Sequence, residues 1–134
     1  MITHREYLTA GNSIFTLESG KTGRRFTYKV IKKKGNNNFY EVRQLRGDDN
    51  ENSNAYYFIG LLIKQDTLKT SWKTTSPDSL VAKAFDFYIK HIDNVPDNLR
   101  VYRSTRCCCC GRLLTTPEAI KEGIGHKCKA RFQR

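Results

Sequence analysis

Histidine is scarce in this 134-residue chain, which has only His4, His91 and His126. So few imidazoles leave no Ser/His/Asp set to assemble. No paired carboxylates in an apolar setting and no phosphate-cradling glycine loop offer another catalytic constellation. Long hydrophobic runs are also missing. The strongest, Tyr56 to Ile63, falls far short of the roughly 18 to 20 apolar residues a membrane helix needs. The opening residues Met1 to Tyr7 lack the basic-then-apolar pattern of a secretory signal, which predicts a cytoplasmic protein with reduced thiols. Acidic residues are short too: 13 Asp and Glu stand against 24 Lys and Arg, for a net charge of +11. That balance excludes nucleic-acid mimicry, which needs an acidic surface.

Cysteine, by contrast, is concentrated near the C-terminus, in Cys107-Cys108-Cys109-Cys110-Gly111 and, further on, Gly125-His126-Lys127-Cys128. Cys107 and Cys110 form a CxxC pair followed by Gly. This is the form of a zinc knuckle, in which a tight turn aims two thiolates at one point and Gly relieves crowding behind the second. Cys128 supplies a third ligand and His126 is the expected fourth, with Cys108 or Cys109 as alternatives for that place. Adjacent cysteines cannot all point at one metal, so Cys108 and Cys109 are otherwise expected as bystanders, buried as small hydrophobes. Thiolate and imidazole donors suit zinc, and four protein ligands would make the site structural. A disulfide framework is the weaker alternative, because five cysteines are odd in number and clustered.

The run CxxCGRxL(T)xPxxIxxGIGxxC resembles the DUF6011 family, a small zinc-binding domain of uncharacterised function found in phage and actinobacterial proteins. The matching positions are Cys107, Cys110, Gly111, Arg112, Leu114, Thr115, Pro117, Ile120, Gly123, Gly125 and Cys128. The family carries Pro where this chain has His126, so a His126 ligand is read from local chemistry and not from the resemblance. The close match covers about 28 residues. The resemblance implies a phage setting and brings no known activity.

Charge is unevenly distributed. Residues 21–46 hold nine basic residues and one acid, residues 47–66 reverse to a net −3, and residues 107–134 return to +4. A basic block beside strands and a basic metal module form the electrostatic footprint of a nucleic-acid binder. The expected phosphate contacts are Arg24, Arg25, Lys29, Lys32, Lys33 and Lys34, extended by Arg112, Lys127, Lys129 and Arg131. Tyr40 or Tyr57 could stack on bases of a single strand. No helix-turn-helix or repeated-finger pattern is present, so little sequence specificity is expected.

Along the chain, Tyr7 and Leu8 begin a short helix broken at Gly11. Ile14–Leu17 and Arg25–Val30 read as strands, the second with Phe26, Tyr28 and Val30 on one face. Strands over 39–45, 56–63 and 68–73 follow, the last including Trp72, and the loop 48–54 reads as polar and mobile. Ser76-Pro77-Asp78 has the form of a helix start, and Val81, Ala84, Phe85, Tyr88 and Ile92 recur at helical spacing. Leu99–Tyr102 is expected as an edge strand. Thr116-Pro117 opens a short helix stopped by Gly123, and a last helix follows Cys128.

These readings predict an α+β protein: an antiparallel meander of about five strands packed by one helix (residues 1–103), then a treble-clef-like zinc module (104–134). The expected function is non-enzymatic. It is that of a small basic phage accessory protein that binds zinc and holds DNA or RNA through the backbone. The alternative is a protein-interaction module that inhibits a host enzyme or defence complex, of anti-defence or anti-CRISPR type. Neither a membrane nor a small-molecule substrate is expected.

Overall fold

Alternation along β2 (Arg25–Lys32) divides the sheet into two faces. Tyr28 and Val30 are fully buried on one, while Arg25, Thr27, Lys29 and Ile31 belong to the other. β1 (Asn12–Ser19) runs antiparallel beside it and pairs Phe15 with Tyr28 and Leu17 with Phe26, so the apolar residues of both strands share a face. β3 (Phe39–Leu45), β4 (Tyr56–Ile63) and β5 (Thr67–Thr70) continue the meander, and β6 (Leu99–Arg103) returns to pair with β1. The strand order is β5-β4-β3-β2-β1-β6, antiparallel throughout. The expected α+β architecture is present, with β6 as the edge strand. The computed structural model describes residues 1–33, 39–70 and 75–132. Lys34, Trp72 and the end of the expected 68–73 strand lie outside the described residues.

β4 sits one strand in from the β5 edge. Gly60 is what lets β5 come so near: a Cβ there would lie 2.5 Å from the Lys69 carbonyl oxygen. α2 (Leu80–Lys90) covers the apolar face with Val81, Ala82, Phe85, Tyr88 and Ile89. Its N-cap is Ser79, whose hydroxyl accepts from the Ala82 N–H. The sequence signal at Ser76-Pro77-Asp78 marks a turn before the helix and not its first turn. There the Ser76 hydroxyl accepts from the Asp78 N–H, and the Ser79 hydroxyl donates to the Ser76 carbonyl. Two candidate caps three residues apart compete, and the one next to the apolar stripe wins.

An aromatic cluster fills the space between helix and sheet. Phe15 stacks on Tyr28 at 5.6 Å between ring centroids and meets Tyr88 at 5.4 Å. Two of the buried hydroxyls are satisfied by backbone: Tyr28 donates to the Val81 carbonyl and Tyr7 to that of Ile14. Tyr7 belongs to α1 (His4–Leu8), which opens on a capping box formed by Thr3 and Glu6.

The loop over 48–54, expected from its polarity to be mobile, makes specific contacts in the structure. Tyr56 donates to the Asn50 carbonyl, Arg106 pairs with Glu51 at 3.2 Å, and the 3-10 turn Ser53–Ala55 is capped by Asn52. The apolar cluster does not stop at residue 103. Cys107, Cys108, Leu114, Ala119, Ile124 and Cys128 are continuous with the sheet–helix core. Arg103 reinforces the join by donating to the carbonyls of Glu122 and Ile2, with its guanidinium 4.7 Å from the Tyr7 ring centroid.

Candidate metal centre

A tight turn builds the first half of the site. The Cys107 N–H donates to the Arg112 carbonyl and the Gly111 N–H to the Cys107 carbonyl, both at 2.9 Å. Arg106 and Leu113 bridge across the base of the turn. Gly111 adopts φ +77°, yet a Cβ there would meet nothing within 4 Å. Its role is therefore left-handed backbone and not relief of crowding. The turn is held in place by the start of β1. The Asn12 N–H donates to the Cys108 carbonyl at 2.7 Å, and the Asn12 side-chain amide to that of Cys109 at 2.8 Å.

The second half comes from α3 (Pro117–Glu122) and α4 (His126–Lys129). Thr116 caps α3, with Pro117 in its first turn, and Gly123 ends it in the left-handed region at φ +78°. The Gly123 carbonyl accepts from the Cys108 N–H at 2.9 Å, which ties the two halves together. Gly125 caps α4, and Cys128 lies inside that helix and not before its start as expected.

The result is a three-thiol cluster. The sulfur atoms of Cys107, Cys110 and Cys128 all lie within 4.8 Å of one another. Around Cys107, burial raises the thiol pKa, but N–H donors from Cys110, Gly125 and Cys109 outweigh it and bring the group down to about 7. The Gly125 N–H reaches the Cys107 sulfur at 3.4 Å. Burial pushes Cys128 up to about 12, with the thiols of Cys109, Cys107 and Cys110 facing it. Thiol donors converging on one point, with backbone N–H groups aimed at one sulfur, form a set that fits a thiophilic metal such as zinc. Three cysteines so close together could hold a metal ion.

Three of the four expected ligands are thus brought together, and His126 is not among them. It is exposed and lines the same open cleft of about 450 Å³ as the cysteines, but it stands outside the group. His126 and Cys128 are two residues apart, so how they project depends on the local backbone. In the structure both lie on α4, where residues two apart point to different sides. Cys108, expected as a bystander, is fully buried in the apolar cluster, with its thiol pushed up to about 12 by burial first and by Cys107 and Cys109 next.

The expected phosphate contacts separate into two groups. Arg24 and Arg25 lie at one end of β2 and Lys32 and Lys33 at the other, about 23 Å apart at about 3.3 Å per residue. Arg25 pairs with Glu18 at 3.6 Å. Lys29 is half-buried, 5.6 Å from the Tyr56 ring centroid, and Lys129 pairs with Glu122 at 2.8 Å. Lys32 and Lys33 belong to the cysteine end, since the Lys32 N–H donates to the carbonyl of Gly11, next to the Asn12 that holds the knuckle. Arg112, Lys127 and Arg131 are exposed along the cleft. Tyr40 is buried, with its hydroxyl donating to the Thr9 carbonyl, so it offers no face for stacking. Tyr57 is 48% exposed, with the Arg46 guanidinium 4.9 Å from its ring centroid.

Among the described residues, no helix is long and apolar enough to cross a membrane. No curated protein and no solved structure matches the chain. Residues 98–133, which take in β6 as well as all five cysteines, match the family described as a family of unknown function (DUF6011).

Proposed function

We propose that this chain carries a structural zinc centre on Cys107, Cys110 and Cys128 and uses the basic surface around it to hold a nucleic-acid backbone, without catalysing a reaction. The observation that carries the first half is the convergence within 4.8 Å of two thiols from the knuckle turn and one from α4, with backbone N–H groups donating to the Cys107 sulfur. When bound, zinc would cross-link the knuckle to α4, giving a small module with no large core of its own a fixed geometry. Elemental analysis of freshly purified reduced protein should find one zinc per chain, lost in Cys107→Ser, Cys110→Ser and Cys128→Ser. It should be kept in Cys108→Ser, which instead loses stability because its hydroxyl would be buried. Metal-free wild-type protein would end the reading.

Support for the second half lies in a group of exposed cations near the three thiols. Lys32, Lys33, Arg112 and Lys127 are exposed at the cysteine end, whereas Lys29 and Lys129 are engaged and Arg25 is paired with Glu18. Four phosphate contacts would give a log–log salt dependence of roughly −3 to −4 on duplex DNA. Replacing these four by Gln should abolish most of that slope, while Arg24→Gln with Arg25→Gln should leave it nearly unchanged. Equal losses from both sets would refute the assignment to the cysteine end.

The runner-up, a protein-contact role, has one feature in its favour. An apolar groove of about 320 Å³ runs between α2 and the β1–β2 end of the sheet, lined by Leu17, Phe26, Leu80 and Phe87. Absence of nucleic-acid binding at low salt would shift the reading there. The phage setting and a host partner rest on the family resemblance alone.

A further inference from the structure

We propose that Cys109, and not His126, supplies the fourth ligand of the metal centre, making it a four-thiolate site built from Cys107, Cys109, Cys110 and Cys128. This rests on the zinc reading above and adds to it a ligand that a CxxC…C pattern does not contain.

Three observations converge on Cys109. Its thiol faces that of Cys128, although it stands outside the mutual 4.8 Å of the other three. Its backbone is pinned, because the Asn12 side-chain amide donates to its carbonyl and the Asn12 N–H to the carbonyl before it. With the backbone held there, its sulfur would join the group by side-chain rotation between staggered wells. The Arg131 guanidinium, finally, donates to the Cys109 sulfur at 3.1 Å. That contact places a cationic donor against the sulfur, in position to hold a metal-bound thiolate by a charge-assisted hydrogen bond.

The charge of the surroundings fits as well. Zinc with four thiolates carries two negative charges, and zinc with three thiolates and a neutral imidazole carries one. The cleft beside the site is lined by Arg112, Lys127 and Arg131 and by no carboxylate. A doubly negative centre is the one such an environment stabilises, and Arg131 would move from holding a free thiol to holding a metal-bound sulfur. His126 is disfavoured by the helix that bears it. It lies two residues before Cys128 on α4, a spacing that does not put two side chains on one face of a helix, and it stands outside the group the three thiols form.

The test uses the full chain, reduced and loaded with cobalt(II) in place of zinc. The wild type should show the strong thiolate-to-cobalt charge transfer and tetrahedral visible bands of a four-sulfur site. Cys109→Ser should lose one thiolate's share of the charge-transfer intensity. It should also weaken zinc binding, measured against a chromophoric chelator, by more than the roughly 10–100-fold that outer-shell changes cost. His126→Ala should change neither. A second measurement needs no variant: in zinc-loaded wild-type protein the partly exposed Cys109 should resist alkylation, and in metal-free protein it should react at once. An unchanged spectrum in Cys109→Ser, alkylation of Cys109 at equal rates with and without zinc, or metal loss in His126→Ala would each overturn the proposal while leaving the three-cysteine centre standing. A wild-type chain that takes up no cobalt or zinc would instead overturn the centre itself.

Discussion

Gly123 joins the two halves of the metal centre, and Gly123→Ala shows how much that joint contributes. Two terms oppose the methyl group. At φ +78° an L-residue strains its backbone by about 1–2 kcal/mol relative to Gly. The new Cβ would also sit 2.5 Å from Cε2 of Tyr7 and 3.1 Å from Cβ of Arg103. Tyr7 cannot move aside freely, because its ring is buried and its hydroxyl is committed to the Ile14 carbonyl. Forcing a methyl into such a site costs about 1–3 kcal/mol. Against both, Ala lowers the entropy of the unfolded chain, worth about 0.4–1 kcal/mol. The net expectation is a loss of about 2–4 kcal/mol. Gly23→Ala isolates the backbone term, since Gly23 has φ +72° and nothing within 4 Å of its would-be Cβ, so about 1 kcal/mol should be lost there. Urea unfolding of zinc-loaded wild type and both variants measures the difference at constant slope. If Gly123→Ala is no less stable than Gly23→Ala, the close approach of α3's end to Tyr7 is not a feature of the folded protein.

Chelating the metal should shift one cooperative unfolding transition to lower temperature, because the apolar cluster and the Arg103 contacts run across residue 103. Two separated transitions, with the sheet surviving, would instead support independent units at 1–103 and 104–134. At Glu18, the hydrogen bond from Arg100 holds the carboxyl below the usual glutamate range, with smaller help from Tyr102 and Arg25. A depressed pKa contributes stability that is present above the unfolded-state value and lost as pH falls through the folded-state value. Glu18→Gln should therefore be less stable than wild type at neutral pH, and the gap should close under acid. A gap that stays constant from pH 7 down to pH 3 would contradict this account.

Local chemistry determined much of this protein. The period-two alternation of residues 25–30, the apolar run at 56–63 and the stripe at Val81, Phe85 and Tyr88 each specify an element within a few residues. Thr116-Pro117 and Gly123 mark both ends of α3, and the CxxC spacing with a distant Cys128 named the three thiols that converge. Wherever two local signals were equally good, packing chose. Ser79 prevailed over Ser76 as a cap because the helix must begin where its apolar face meets the sheet. The place of His126 could not be read either, since it turns on whether residues 126–128 form a loop or a helix. The placement of charge was not legible in the same way. Arg24 and Arg25 stand a strand's length from Lys32 and Lys33, and Arg25 and Lys29 are engaged by Glu18 and the Tyr56 ring, contributed by other strands. Composition determines how much charge a chain carries, but only tertiary structure decides which charges stand together facing water, because neighbours along a strand move apart by about 3.3 Å per residue while residues distant in sequence come to lie side by side.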